Sequence, residues 1–210
     1  LASQQHELSD NQFIMLYNRL GRYFMIVQQY DSARIAFELS LDYSRKANNK
    51  KREFEQISYL ANVFNQASNY DTALMYYEKA IRYFKKINDS VALASNLSNE
   101  ASALISMGSY EKALKQLFEA EKIYKEKKNH ITLGITYENI AAINAELGYD
   151  SLVIEYTRKA ISIYKEAENK IYLSTAYADM VTAFKLTGEM DSVLHYYKLS
   201  QEIAKQTNNQ

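Results

Sequence analysis

The stretch from Tyr70 to Ile81, YDTALMYYEKAI, returns along the chain with a constant step of forty residues. When the sequence is shifted against itself by that step, small residues align without a gap in two columns: Ala33, Ala73, Ala113, Val153 and Val193, then Ser40, Ala80, Ala120, Ala160 and Ser200. A fixed period between about twenty and fifty residues indicates stacked units that each contact only their neighbours. We therefore expect a single array over residues 1–210, in which a lead-in at 1–9 precedes copies at 10–49, 50–89, 90–129, 130–169 and 170–209.

Residues that break helices are almost absent, because the 210 residues include no proline and only 5 glycines. This composition predicts an all-α chain. In the first copy, a helix is predicted from about Asp10 to Val27 and a second from about Asp31 to Ala47. Apolar residues at helical spacing form the expected buried face of the first helix: Phe13, Leu16, Tyr17, Leu20, Phe24 and Val27. The same helical hairpin is predicted in every copy.

Turn residues recur at the same step. Glycine lies in the predicted turn of the later hairpins, at Gly108, Gly148 and Gly188, where a tight link favours a backbone angle that a Cβ resists. Asparagine, which tolerates the left-handed conformation at a helix end, is expected to end the second helices at Asn48 and Asn49, Asn88, Asn129, Asn169 and Asn208.

Small residues also predict where the helices of a pair meet. The first helices carry Gly21, Ala61, Ala101, Ala141 and Val181, which we expect to face the column that begins at Ala33. Large residues four positions beyond that column should fill the space between adjacent helices: Phe37, Tyr77, Leu117 and Tyr197. The fourth copy has Thr157 there, a weaker filler. Most of the 19 tyrosines are expected in these seams, with buried rings.

These positions resemble the tetratricopeptide repeat signature. The first copy matches it in spacing and type through Tyr17, Leu20, Gly21, Phe24, Tyr30, Ala33 and Phe37, and the second through Ile57, Leu60, Ala61, Phe64, Tyr70, Ala73, Tyr77 and Ala80. The step of forty exceeds the usual length of about thirty-four. It looks like the variant found in bacterial peptide-sensing regulators and in the sensory regions of some signalling proteins. The resemblance implies a right-handed α-solenoid superhelix of five antiparallel helix pairs, whose concave groove is lined by the first helices.

The resemblance also implies which side chains line that groove. The strongest candidates for binding a peptide are Arg19, Arg22, Tyr59, Asn62, Asn65, Asn99, Asn139, Asp179 and Lys185. Other groove positions are Asn18, Glu55, Ser95, Ser98, Ser102, Glu138 and Thr182. An amide offers donors and an acceptor to the backbone of an extended peptide. The alternative is that these amides only solvate an exposed helix face.

Charge and composition argue against several classes of partner. The 25 basic and 25 acidic residues balance, so no net field favours nucleic acid or an anionic membrane. The absence of cysteine excludes thiolate metal sites. No apolar run approaches the roughly 18 residues that span a bilayer. We expect a cytoplasmic location, or alternatively the extracytoplasmic sensor region of a membrane protein.

Enzyme chemistry finds little support in the sequence. His6, His130 and His195 are scattered, and none of the common catalytic or phosphate-binding motifs occurs. The carboxylates are predicted to face solvent, without an apolar pocket that would shift a pKa. We therefore expect no enzymatic activity, no cofactor and no metal.

The leading hypothesis is an interaction and sensing module for a peptide or protein segment. The chain begins at Leu1 rather than at methionine, so we expect it to be the input region of a larger bacterial signalling or transcription-regulatory protein. The alternative is a structural adaptor that assembles through its terminal helices, either with another copy or with an adjoining effector domain. Tyr196, Tyr197 and Ile203 would contribute to such a face, since no further repeat covers them.

Overall fold

The computed structural model describes residues 9–208, and over this range the chain forms ten α-helices and no strand. They are α1 (Asp10–Ile26), α2 (Tyr30–Lys46), α3 (Lys50–Gln66), α4 (Tyr70–Lys86), α5 (Ser90–Ser106), α6 (Tyr110–Glu126), α7 (His130–Glu146), α8 (Asp150–Glu166), α9 (Lys170–Thr187) and α10 (Met190–Asn208). The predicted all-α chain of consecutive helix pairs is confirmed, and the two helices predicted in the first copy begin and end within one residue of the observed ones. The lead-in, including His6, lies outside the described residues except for Ser9, which caps α1.

Every linker between helices contains a residue with a positive φ. Gly108, Gly148 and Gly188 have φ between 71° and 78°, and Asn48 and Asn88 have φ of 51° and 56°, as predicted. The other left-handed residues are Gln28, Ser68, Lys128 and Glu168.

Three of the asparagines predicted to be left-handed at a helix end are not. Asn49, Asn129 and Asn169 have φ of −92°, −87° and −88° and are the N-caps of α3, α7 and α9. In each of these linkers the left-handed residue lies one position earlier. Each of these asparagines therefore precedes the next helix instead of ending the previous one. The Asn169 side chain accepts a hydrogen bond from the Tyr172 backbone N–H at 3.1 Å. Such a bond satisfies a backbone donor at the start of a helix.

The helices fall into two compact units. The first, residues Leu1–Met107, holds α1 to α5, and the second, Gly108–Gln210, holds α6 to α10. The predicted small-residue seam lies in the core of both. In the first unit Ala61, Ala73, Tyr77 and Ala103 form one buried cluster. In the second unit, a corresponding cluster consists of Ala141, Val153 and Ala183.

The predicted large fillers are buried in three of the four copies that carry one. Phe37, Tyr77 and Leu117 are fully buried. A Cβ on Gly21 would lie 2.6 Å from the Phe37 ring, so glycine is what allows that ring to pack against α1. Tyr197 is the exception, with 51% of its surface exposed. No helix beyond α10 is present in the described chain to cover it.

The predicted buried face of α1 is wrong for three of its residues. Leu16, Leu20 and Val27 are exposed, and the helix instead buries Ile14 and Gly21. The apolar residues of α1 cover a wider arc than α2 and α3 can bury. Since no helix precedes α1 in the described range, one part of that arc faces solvent.

Candidate functional site

Two half-buried asparagines, one on α3 and one on α5, bond to each other. Asn99 on α5 donates a hydrogen bond from Nδ2 to Oδ1 of Asn62 on α3, at 3.1 Å. The hydroxyl of Tyr77 on α4 donates to the same oxygen at 2.7 Å. Burial raises the pKa of Tyr77, so its hydroxyl remains a neutral donor. The pair is thereby held in one orientation, which leaves Nδ2 of Asn62 and Oδ1 of Asn99 for a ligand.

A second amide contact joins α1 to α3. Asn18 donates from Nδ2 to Oε1 of Gln56 at 3.0 Å. Gln56 is fully buried, and its Nε2 has no hydrogen-bond partner in the described residues. Adjacent first helices of this unit are therefore linked by amide hydrogen bonds in two places.

A small apolar pocket of about 260 Å³ lies beside the asparagine pair. It is lined by Arg22, Met25, Ile26, Phe37, Tyr59 and Asn62. The Tyr59 ring stacks on Phe37 with 5.0 Å between centroids and a 6° interplanar angle, which makes a flat wall. Arg22 is exposed and forms no ion pair within residues 9–208. The pocket thus combines an apolar wall with a free cation.

The second unit has a larger cavity, of about 320 Å³, between α7, α8 and α9. Its lining is Glu138, Asn139, Ala141, Ala142, Ala145, Val153, Thr157, Asp179, Thr182, Ala183 and Leu186. Thr157 stands where the second copy has Tyr77, and Ala142 stands where that copy has Asn62. These smaller side chains leave unfilled the space that a ring and an amide occupy in the first unit.

Two carboxylates border this cavity. Oε1 of Glu138 is shielded from solvent and has no hydrogen-bond partner in the described chain, and the same holds for the hydroxyl of Tyr164. Burial raises the pKa of Glu138 to about 7, and the nearby charge of Asp179 acts in the same direction. Asp179 keeps some exposure at the cavity mouth, but desolvation raises its pKa as well. The prediction that the carboxylates face solvent is therefore wrong for Glu138, which is half-buried, and also for Glu53 and Glu100, which are buried.

The structure brings some of the predicted groove residues together. Arg22, Tyr59 and Asn62 share the smaller pocket, Asn62 also contacts Asn99, and the larger cavity includes Asn139 and Asp179. Arg19, Asn65 and Lys185 line neither space. The cavity was not predicted from the sequence, although the small Thr157 at a position for a large residue indicates unfilled space.

Other site types receive no support from the described residues. No cluster of three or more His, Cys, Asp or Glu side chains in residues 9–208 could hold a metal ion. His130 lies 3.9 Å from a carboxylate oxygen of Glu166, and His195 packs edge-on against Tyr196. Every helix in that range is either too short or too polar to serve as a membrane span.

The sequence model of the tetratricopeptide repeat family matches residues 53–126, a range that includes the asparagine pair. These residues are tetratricopeptide repeats. The predicted resemblance to this family is thus confirmed for residues 53–126. Tetratricopeptide folds generally serve as non-catalytic scaffolds for protein interaction. No curated protein sequence matches the chain significantly.

Solved structures with the same fold include two Rap proteins. The apo form of RapI has a TM-score of 0.81 at 17% identity, over 93% of this chain and 72% of that one. A Rap protein complexed with Competence and Sporulation Factor has a TM-score of 0.80 at 16% identity, over 95% of this chain and 56% of that one. These identities are low, so the likeness shows a shared tetratricopeptide fold.

A third similar structure is a signal transduction ATPase with numerous domains from Pyrococcus horikoshii, which carries a tetratricopeptide repeat sensor. Its TM-score is 0.81 at 20% identity, over 98% of this chain. The chain spans only 32% of that protein, and little more than half of the Rap protein solved as a complex.

Proposed function

We propose that residues 1–210 act as one binding module that holds a peptide or protein segment along the exposed sides of its first helices. The observation that carries this proposal is the Asn62–Asn99 pair, which Tyr77 fixes in place. One free amide donor and one free amide acceptor, held side by side, match the acceptor and donor of a peptide backbone. A ligand can therefore bind without much loss of side-chain entropy at these two positions.

Neighbouring groups supply further contacts in this proposal. Arg22 and Tyr59 border the smaller pocket, which suits an apolar side chain next to an acidic group of the ligand. Asn139 provides the corresponding amide in the second unit. Arg19 and Asn65 in the first unit, and Lys185 in the second, would provide secondary contacts.

The similar structures support a sensory role. One was solved in complex with Competence and Sporulation Factor, and another carries its repeats as a sensor. We infer that this chain is the sensory or interaction region of a larger bacterial signalling or regulatory protein. Ligand binding would favour one packing of neighbouring hairpins and so bias an adjoining effector domain.

A library of random peptides tests the proposal. Peptides selected on the wild-type chain should lose at least tenfold in affinity for Asn99→Ala, because an amide that bonds the peptide backbone is removed. Asn11→Ala is the matched control, since Asn11 is an exposed asparagine near the start of α1. Equal affinity of the two variants, both folded by circular dichroism, would show that the asparagine pair does not bind the ligand.

The second candidate is a structural adaptor that assembles through its terminal helices. The observation in its favour is the exposed apolar surface near the C-terminus, at Leu186, Met190, Leu194 and Tyr197. Under this alternative, Leu194→Glu would abolish self-association in sedimentation experiments while the peptide-binding variants leave it unchanged. A monomer at all concentrations, together with groove-dependent peptide binding, would favour the first proposal.

A further inference from the structure

The cavity of the second unit exists because the fourth copy departs from the repeat at one seam position. Phe37, Tyr77 and Leu117 fill the equivalent space with fully buried side chains, whereas the fourth copy has Thr157. The Thr157 hydroxyl donates a hydrogen bond to the backbone carbonyl of Val153 at 2.8 Å, and its donor is therefore already used. The other walls are mostly alanine, valine and leucine.

The same copy places two carboxylates at this space. Glu138 comes from α7 and Asp179 from α9, and at the position of Glu138 the earlier copies have Asn18, Ser58 and Ser98. Neither carboxylate forms an ion pair with a cation of residues 9–208. The negative charge that these carboxylates carry when ionised is therefore not balanced by a cation of the described residues.

A buried hydroxyl lies beside Glu138, although it does not line the cavity. Tyr164 is fully buried with Gly134 against its ring, and no hydrogen bond of good geometry joins its hydroxyl to Glu138 or to another described residue. Burial raises the pKa of Tyr164, and the nearby charge of Glu138 acts in the same direction. Oε1 of Glu138 is also shielded and, within the same range, without a partner. Buried polar atoms are normally satisfied, and an unpaired buried carboxylate is costly. A ligand group with several N–H donors, placed in the cavity, would supply the partner that the Glu138 carboxylate lacks.

We propose that this cavity binds the cationic side chain of a lysine or arginine belonging to the ligand, with its charged end at Glu138 and Asp179. An ammonium offers three donors and a guanidinium five, while the alkyl part would lie against the alanines and Leu186. The volume of about 320 Å³ is at the small end of ligand pockets, which suits one side chain. The identity of the ligand rests on the proposed peptide-binding function, but the cavity can be probed without a peptide.

The probes are the capped amino acids N-acetyl-arginine amide and N-acetyl-lysine amide. Their neutral counterparts are N-acetyl-citrulline amide and N-acetyl-norleucine amide. Binding is measured at pH 8 by nuclear magnetic resonance titration of the 210-residue chain. The charged probes should bind at least tenfold more tightly than the neutral ones, because charge-assisted hydrogen bonds to a shielded carboxylate are strong.

Three variants test whether the charged probes bind in this cavity. Glu138→Gln keeps the shape of the side chain and should weaken the charged probes about tenfold, whereas Glu146→Gln, which changes an exposed carboxylate on the same helix, should leave them unchanged. Thr157→Tyr refills the cavity as Tyr77 does and should abolish binding. If that variant does not fold, Glu138→Gln still decides the question.

The outcomes separate this inference from the proposed function. Equal binding of charged and neutral probes, or full binding by Glu138→Gln, would overturn the cation site. If selected peptides bind through Asn99 with no preference for lysine or arginine, the cation site fails and the peptide-binding function stands. If the charged probes bind but no peptide does, the function fails and the site stands.

Discussion

The clearest test of the buried carboxylate is how stability depends on pH in Glu138→Gln. The pKa of Glu138 is about 7 in the folded chain against an ordinary value of 4.5, because burial disfavours the charged form. Between these pH values the folded state holds a proton that the unfolded state has lost. The contribution to stability is therefore fully present below pH 4.5 and is lost as the pH rises through 7.

The size of the effect follows from the difference between the two pKa values. At about 1.4 kcal/mol per pH unit, the full difference corresponds to about 3 kcal/mol. Solvent reaches part of the Glu138 side chain, so we reduce the expected effect to about 1–2 kcal/mol. A glutamine at this position cannot ionise, and the variant should therefore be more stable than wild type by this amount at pH 8 and similar to it at pH 4.5.

The assay is urea unfolding followed by circular dichroism at several pH values between 4.5 and 8. The quantity compared is the free energy of unfolding of the variant minus that of wild type. Groups present in both proteins, such as Asp179, contribute equally to the two values and drop out of the difference. Glu146→Gln serves as the control and should show no change with pH. A difference that stays constant across this range, or a variant that is less stable at pH 8, would refute the argument that burial holds Glu138 protonated.

Three further predictions concern packing and turns. Gly21→Ala should lower the free energy of unfolding by about 1–3 kcal/mol in urea unfolding, because its Cβ would clash with the Phe37 ring, which lies 2.6 Å away. Ala73→Leu should overpack the buried cluster at a similar cost of about 1–3 kcal/mol; we expect a lower melting temperature with the helical spectrum retained, and an unchanged one would contradict the contact. Lys128→Gly should raise the free energy of unfolding by about 0.5–1 kcal/mol, since Lys128 has a φ of 53° and glycine adopts this conformation without strain. Lys127→Gly, one residue earlier at a negative φ, is the control and should not stabilise the chain.

The helices and their seams could be predicted from the sequence because each copy repeats the same local information. The column that contains Ala73 marks close helix contacts, the absence of proline removes the main interruption, and positions forty apart identify equivalent turns. The structure then places Ala61 and Ala73 in one buried cluster, as that column predicts. Local preference and packing agree at these positions, and this part of the fold can therefore be predicted from the sequence.

The burial of individual side chains could not be predicted in the same way. The helical pattern places Glu138 on the exposed side of α7, but whether solvent reaches it depends on the volumes of residues on α8 and α9. Thr157 and Ala183 are far from Glu138 in sequence, yet all three line the same cavity. The exposed Leu16 and Leu20 have a related cause, because a helical pattern shows an apolar side without showing whether a neighbour covers it.

Thr157 has a wider consequence for how such a chain can diversify. Because all copies share one backbone arrangement, exchanging an aromatic residue for a threonine at that position opens a recess in one copy and leaves the helix boundaries of the others intact. Under the proposed function, such single substitutions would alter ligand recognition one copy at a time while the scaffold stays unchanged.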